Sequence, residues 1–129
     1  MPDPKPPALP GILHALQQIL ATCRTLDDVA RVRRTAQHKW RRISGRRNEA
    51  VSQAQGSVQI NGACDERRRA LIPDISAGDL ADALRITRRA LAERVSRSSR
   101  LFYPDKPIHA YSDETVTRLM ELVRGSDAL

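Results

Sequence analysis

A chain of 129 residues has room for one domain, or for one small domain carrying an appended helical arm. Hydrophobic residues make up 40% and aromatic residues only 3%, so the core must be aliphatic, with Trp40, Phe102, Tyr103 and Tyr111 as its large rings. A net charge of +7 and an isoelectric point near 10.4 point away from cationic partners and toward a polyanion.

The positive charge is clustered. Arg31 to Arg47 holds eight basic residues and no acid, and Arg85 to Arg100 holds six against the single acid Glu93. Nineteen of the 22 basic residues are arginine, whose planar fork suits bidentate contact with phosphates and guanine edges. Cys23 and Cys64 share no metal-type spacing and read as free buried thiols in a reducing compartment. No apolar run approaches the ~20 residues that span a bilayer. The proline-rich start lacks the charged and apolar regions of a signal peptide. The expected location is the cytoplasm, at the nucleoid.

In chain order, residues 1–10 contain five of the eight prolines and read as an extended or disordered lead-in. Ile12, Leu13, Leu16, Ile19, Leu20 and Cys23 recur at helical spacing and predict an amphipathic helix over 11–24. Thr25-Leu-Asp-Asp28 resembles a capping box, with Asp in place of the usual Glu. The helix it opens extends to about Gln55, with Gly45 able to break or bend it, and Val29, Ala36, Trp40, Ile43, Ala50 and Ala54 lie on its apolar stripe. Arg33 and Arg47 interrupt that stripe, which favours an antiparallel hairpin with the first helix over a long coiled coil. The stretch 56–62, GSVQING, alternates Val58 and Ile60 with polar residues and reads as a short extended piece or a loop. Asp65 to Ile72 predicts a short helix bounded by Pro73.

Ser76-Ala-Gly-Asp79 is an N-cap signature, and Leu80, Ala83 and Leu84 supply the buried stripe of a helix about eight residues long. Arg85-Ile86-Thr87 forms a tight connection in which Thr87 can cap the next helix. That helix is predicted over 88–100, with Leu91, Val95, Ser98 and Phe102 on one side and Arg89, Glu93, Ser96, Arg97 and Arg100 on the other. Such a division suits a recognition helix, locked down from behind and offering charged and hydroxyl groups to a DNA groove. Arg88 and Arg89 occupy the first turn, where a cation opposes the helix dipole. Residues 103–111, broken by two prolines, predict a loop or β-hairpin. Ser112 then caps a helix with Val116, Leu119, Met120 and Val123 on its apolar face, ending at Gly125.

The pieces Asp79-Leu-Ala-Asp-Ala-Leu-Arg-Ile-Thr87, Leu91, Leu101 and Tyr111-Ser-Asp-Glu-Thr-Val116 with Leu119 resemble the winged helix-turn-helix of MerR-type regulators and phage excisionases. The likeness covers about fifty residues. It implies that the second helix enters the major groove, that Arg88, Arg89 and Arg97 read or clamp DNA, and that Lys106 and His109 are wing contacts.

No P-loop, nucleophile elbow or HExxH motif occurs, the three histidines share no ligand spacing, and the paired acids lie at presumed helix starts. Neither an enzyme, a cofactor nor a metal site is expected. The fold class predicted is mainly α: a proline-rich tail over 1–10, a helical hairpin or arm over 11–72, and a winged helix-turn-helix over 74–124. The function predicted is sequence-specific binding of double-stranded DNA, as a transcriptional regulator or a phage or plasmid accessory factor. A homodimer through the apolar first helix is a further expectation. The DNA-binding residues would be Arg85, Thr87, Arg88, Arg89, Ser96, Arg97, Arg100, Lys106 and His109, with Arg41 and Arg42. Arg31, Arg34, Lys39, Arg41, Arg42 and Arg46 could form a second, phosphate-tracking face. The alternatives are a helical adaptor for an acidic partner and an RNA-binding protein.

Overall fold

In the computed structural model of the chain, which describes residues 8–45, 51–95 and 105–127, the regular elements are helices. They are α1 (Ala8–Thr22), α2 (Leu26–Ser44), α3 (Gln53–Leu71), α4 (Ala77–Leu84), α5 (Arg88–Val95) and α6 (Asp113–Asp127), with a 3-10 turn at Ile108–Ala110. The mainly α class is what the chain adopts. Two compact units divide it, Met1–Leu71 and Ile72–Leu129.

In the first unit, α1 begins at Ala8 rather than near residue 11. Pro10 falls in its first turn, where backbone N–H groups have no partner within the helix and the missing donor is harmless. Leu9, Ile12, Leu16 and Leu20 are buried, whereas Ile19 is half exposed and leaves the predicted stripe. Arg67 closes the other end of α1: its guanidinium donates to the Cys23 carbonyl from Nε at 3.2 Å and from Nη2 at 2.6 Å. Cys23 and Cys64 are free and lie in this core, and burial pushes both thiols above their ordinary pKa.

The capping box of α2 is formed. Thr25 Oγ1 accepts from the Asp28 N–H at 3.1 Å, and the Asp28 carboxylate accepts from the Thr25 and Arg24 N–H groups. The Arg24 N–H, followed by Thr25, holds the Asp28 carboxyl below the usual carboxylate range. The helix stops at Ser44 with Gly45 as its C-cap. Arg33 sits inside the apolar stripe because α3 receives it: it pairs with Asp65 and donates to Asn61 Oδ1 at 3.0 Å.

The stretch read as extended piece or loop is helical. Residues 56–62 lie inside α3, which also absorbs the short helix expected from Asp65. Its start is a second capping box, Ser52-Gln-Ala-Gln55: Ser52 Oγ accepts from the Gln55 N–H at 3.2 Å, and Gln55 Oε1 accepts from the Ser52 N–H at 3.3 Å. The buried positions Gly56, Ile60 and Cys64 recur every four residues, a helical period that the Val58/Ile60 alternation conceals. Val58 points out, 69% exposed.

Gly56 is there for proximity. A Cβ on it would stand 2.4 Å from the Trp40 ring, which is 1% exposed and donates from Nε1 to the Gln53 carbonyl at 2.8 Å.

The second unit buries Ile72, Ala77, Leu80, Ala81, Leu91, Ala92, Val95, Ile108, Val116 and Leu119. Ala81 replaces the predicted Ala83, which is exposed. Of the expected wing, residues 103 and 104 lie outside the described residues, and 105–111 form no hairpin. Among the described residues there is no strand, only an isolated antiparallel bridge between Ser76 and Pro107. The Ala77 N–H donates to the Lys106 carbonyl at 3.2 Å and the Ile108 N–H to the Ile75 carbonyl at 2.9 Å. After those two bonds Pro107 supplies no donor and the chain tightens into the 3-10 turn, so no ladder continues. Ser112 caps α6 by accepting from the Thr115 N–H at 3.3 Å. That helix runs past Gly125 to Asp127, where an exposed glycine in the last turn costs at most about 1 kcal/mol.

Two glycines of α3 respond oppositely to the same change. Gly56→Ala drives a methyl into Trp40 and is expected to destabilise the first unit by about 1–3 kcal/mol. Gly62→Ala, which meets nothing within 4 Å, is expected to stabilise it by up to about 1 kcal/mol. Denaturant titration followed by Trp40 emission checks both; shifts of the same sign would refute the close-contact account.

Candidate nucleic-acid interface

Ile72–Leu129 carries two eight-residue helices joined by a tight turn, and the local chemistry explains each boundary. Ser76 Oγ accepts from the Asp79 N–H at 3.1 Å to start α4. The helix ends in a Schellman motif: the Ile86 N–H reaches the Ala81 carbonyl at 3.1 Å, and the Arg85 N–H reaches the Asp82 carbonyl at 3.1 Å. This closure demands a left-handed residue, and Arg85 supplies it with φ 58° and ψ 38°. Thr87 Oγ1 then accepts from the Ala90 N–H at 3.0 Å and opens α5. The predicted cap and turn are therefore formed without the glycine common at this position.

The back of α5 is fixed by Leu91, Ala92 and Val95, each no more than 5% exposed. From α6, Arg118 donates to the Val95 carbonyl at 3.4 Å while its other nitrogen binds Glu114 at 2.8 Å. One residue thereby closes the described end of α5 and ties α6 to it.

The opposite face carries Arg89, Glu93 and Arg94, all exposed. Arg89 Nε lies 3.3 Å from Glu93 Oε1, with the two side chains 89% and 63% exposed. A pair that open to water contributes roughly 0.3–0.5 kcal/mol, so a phosphate can displace the glutamate readily. Arg94 was missed by sequence reasoning. The helical wheel provides the signal, since position 94 lies about 110° from the centre of the stripe formed by Leu91, Ala92 and Val95, as far round one flank as Arg89 is round the other.

Arg88 takes a different course. Although exposed, its guanidinium stands over Gly78 in the first turn of α4, 3.1 Å from where a Cβ would sit. A cation there lies beside the positive ends of two helices, which helix electrostatics disfavours. The turn thus gathers Arg85, Thr87, Arg88 and Arg89, and α5 adds Arg94. Ser96, Arg97 and Arg100 lie outside the described residues.

The two expected wing contacts have other surroundings. Lys106 is half-buried, with its ammonium 4.9 Å from the centroid of the Tyr111 ring, and His109 is half-buried within the 3-10 turn. Arg41 and Arg42 belong to the other unit, exposed in the last turn of α2. Trp40 is core and has no face for a base. Among the described residues no group of three or more His, Cys, Asp or Glu is placed to hold a metal ion, and no helix is long and apolar enough to cross a membrane.

Arg85 is the one described non-glycine residue with positive φ. Arg85→Gly is expected to raise the stability of the second unit by about 1 kcal/mol, the left-handed penalty being relieved. Thermal melting of the two proteins by circular dichroism tests this, and an unchanged or lower midpoint would contradict it.

No protein-family model matches the chain, and neither a curated protein nor a solved structure was found to match it.

Proposed function

We propose that Ile72–Leu129 is a helix-turn-helix that presents α5 to the major groove of double-stranded DNA, and that the protein binds DNA sequence-specifically as a transcriptional regulator or phage or plasmid accessory factor. One observation carries this reading. A short helix is anchored from behind by Leu91, Ala92 and Val95, follows a tight turn from a second helix, and turns Arg89 and Arg94 outward. An α-helix fits the ~12 Å major groove, where arginine pairs bidentately with guanine O6 and N7.

The placement of Arg85 and Arg88 adds support. A left-handed arginine and a cation beside two helix N-termini both oppose stability, and residues held against local preference tend to be held for function. In this reading they clamp phosphates on either side of the turn. Residues 105–111, bridged to Ser76, stand in for a wing, with Lys106 and His109 directed at the DNA backbone. The cation–π contact of Lys106 leaves its charge available to a phosphate.

Selection of bound duplexes from a random pool should enrich a defined site. Arg89→Ala and Arg94→Ala should each weaken binding to that site by about 1–3 kcal/mol, roughly 5- to 150-fold, relative to a scrambled duplex. Arg85→Gly should lose affinity while melting higher. Absence of any enriched sequence, or affinities within twofold of the parent, would overturn the assignment.

A further inference from the structure

The first unit has its own cationic surface, and the structure sorts its members. Arg31 is paired with Asp27 at 3.0 Å, and Arg33 is engaged by Asp65 and Asn61. Lys39 lines the apolar groove of Ile12, Leu16, Val32 and Ala36 between α1 and α2. What remains is Arg34, Arg41 and Arg42, exposed on the outward side of α2 with His38 between them. None of the three guanidinium groups has an ion pair among the described residues. From Val29 to Ser44 the helix contains no acid.

Helix electrostatics accounts for part of this. The negative end of α2 favours Arg41 and Arg42 in its last turn. It does not account for Arg34 in mid-helix, nor for the absence of any acid at the i±3 and i±4 positions that would relieve their mutual repulsion. The row is also held rigid from behind. The buried Trp40 ring is hydrogen-bonded to Gln53, and Gln37 Nε2 donates to the Ser57 carbonyl at 2.9 Å.

We infer that the outward face of α2 is a second, sequence-independent contact for double-stranded DNA, gripping backbone phosphates through Arg34, Arg41 and Arg42. Single strands are disfavoured, because Trp40 is the one Phe, Tyr or Trp of Met1–Leu71 and is buried, which leaves the small His38 ring as the sole ring on this face and no platform for successive bases. Geometry favours a B-form duplex. Arg34 to Arg42 spans eight positions, about 12 Å of helix axis, which matches the width of a major groove about 12 Å across from one phosphate line to the other. The A-form groove of duplex RNA is narrow and deep and does not admit such a face. The contact uses no residue of α4 or α5 and stands apart from the helix-turn-helix reading.

The test is fluorescence anisotropy of the full chain on a labelled DNA duplex of random sequence, titrated between about 50 and 200 mM salt. Arg34→Gln/Arg41→Gln/Arg42→Gln should weaken binding at low salt at least about tenfold and flatten the log–log salt slope by up to ~2.7, near 0.9 per phosphate lost. The corresponding triple Lys variant should keep the slope. The charge-matched control Arg24→Gln/Arg69→Gln/Arg124→Gln removes three exposed cations that are not part of α2 and should change it much less. Buried Trp40 emission reports whether each variant is folded. If the Gln triple is not folded, Arg34→Gln alone decides, with a slope change near 0.9 expected. An unchanged slope, an equal loss in the control, or tighter binding of a matched RNA duplex with the same slope loss would overturn the inference. Selection of an enriched site by α5 bears only on the other proposal.

Discussion

The first unit is organised by the absence of one carbon atom. Because Gly56 has no Cβ, α3 can lie against the face of Trp40 more closely than any other residue would allow. That approach brings the indole N–H to the Gln53 carbonyl and sets the antiparallel register of the two helices. Everything along their seam follows in order. Gln37 meets Ser57 and Asn61, and Arg33 meets Asn61 and Asp65. Each pair lies one turn further from the tryptophan, so the polar seam is a consequence of the contact at its end. The register also settles which residues of α2 face out, and therefore where its arginines are displayed.

Short-range chemistry was legible in the chain. The caps at Thr25, Ser76, Thr87 and Ser112 use side-chain oxygens a few atoms from the N–H groups they satisfy, so their sequence signature and their geometry are nearly one thing. The anchoring of Leu91 and Val95 followed from helical period alone. The nature of α3 did not, because two glycines and Asn61 carry poor helix propensity and the reason for Gly56 lies on another helix. The Ser52–Gln55 box was the available signal, obscured by a helix prolonged through Gly45. Arg33 misled for the same reason: a cation interrupts an apolar stripe only until its acid, 32 positions away, is known. The wing was overestimated because a proline-broken segment fits a hairpin and a bridge-plus-turn equally well in one dimension.

Arginine does three different jobs here, and net charge alone hides the distinction. Arg33 and Arg118 meet carboxylates as part of helix packing. Arg67 uses its planar fork to hold the Cys23 carbonyl with two nitrogens, a contact that a lysine could not reproduce. The outward members on α2 and α5 add little to the fold and supply charge toward solvent. The excess positive charge is therefore concentrated on a few helix faces, which is the condition for a directional field rather than a diffuse one.

The position of Trp40 has an optical corollary. The single indole belongs to Met1–Leu71, whereas both phenols, Tyr103 and Tyr111, belong to Ile72–Leu129. Selective excitation of the indole consequently monitors one half of the polypeptide, and phenol emission monitors the other. The wild-type protein thus carries a natural pair of spectroscopic labels with which the melting of its two halves can be followed separately, without any introduced dye.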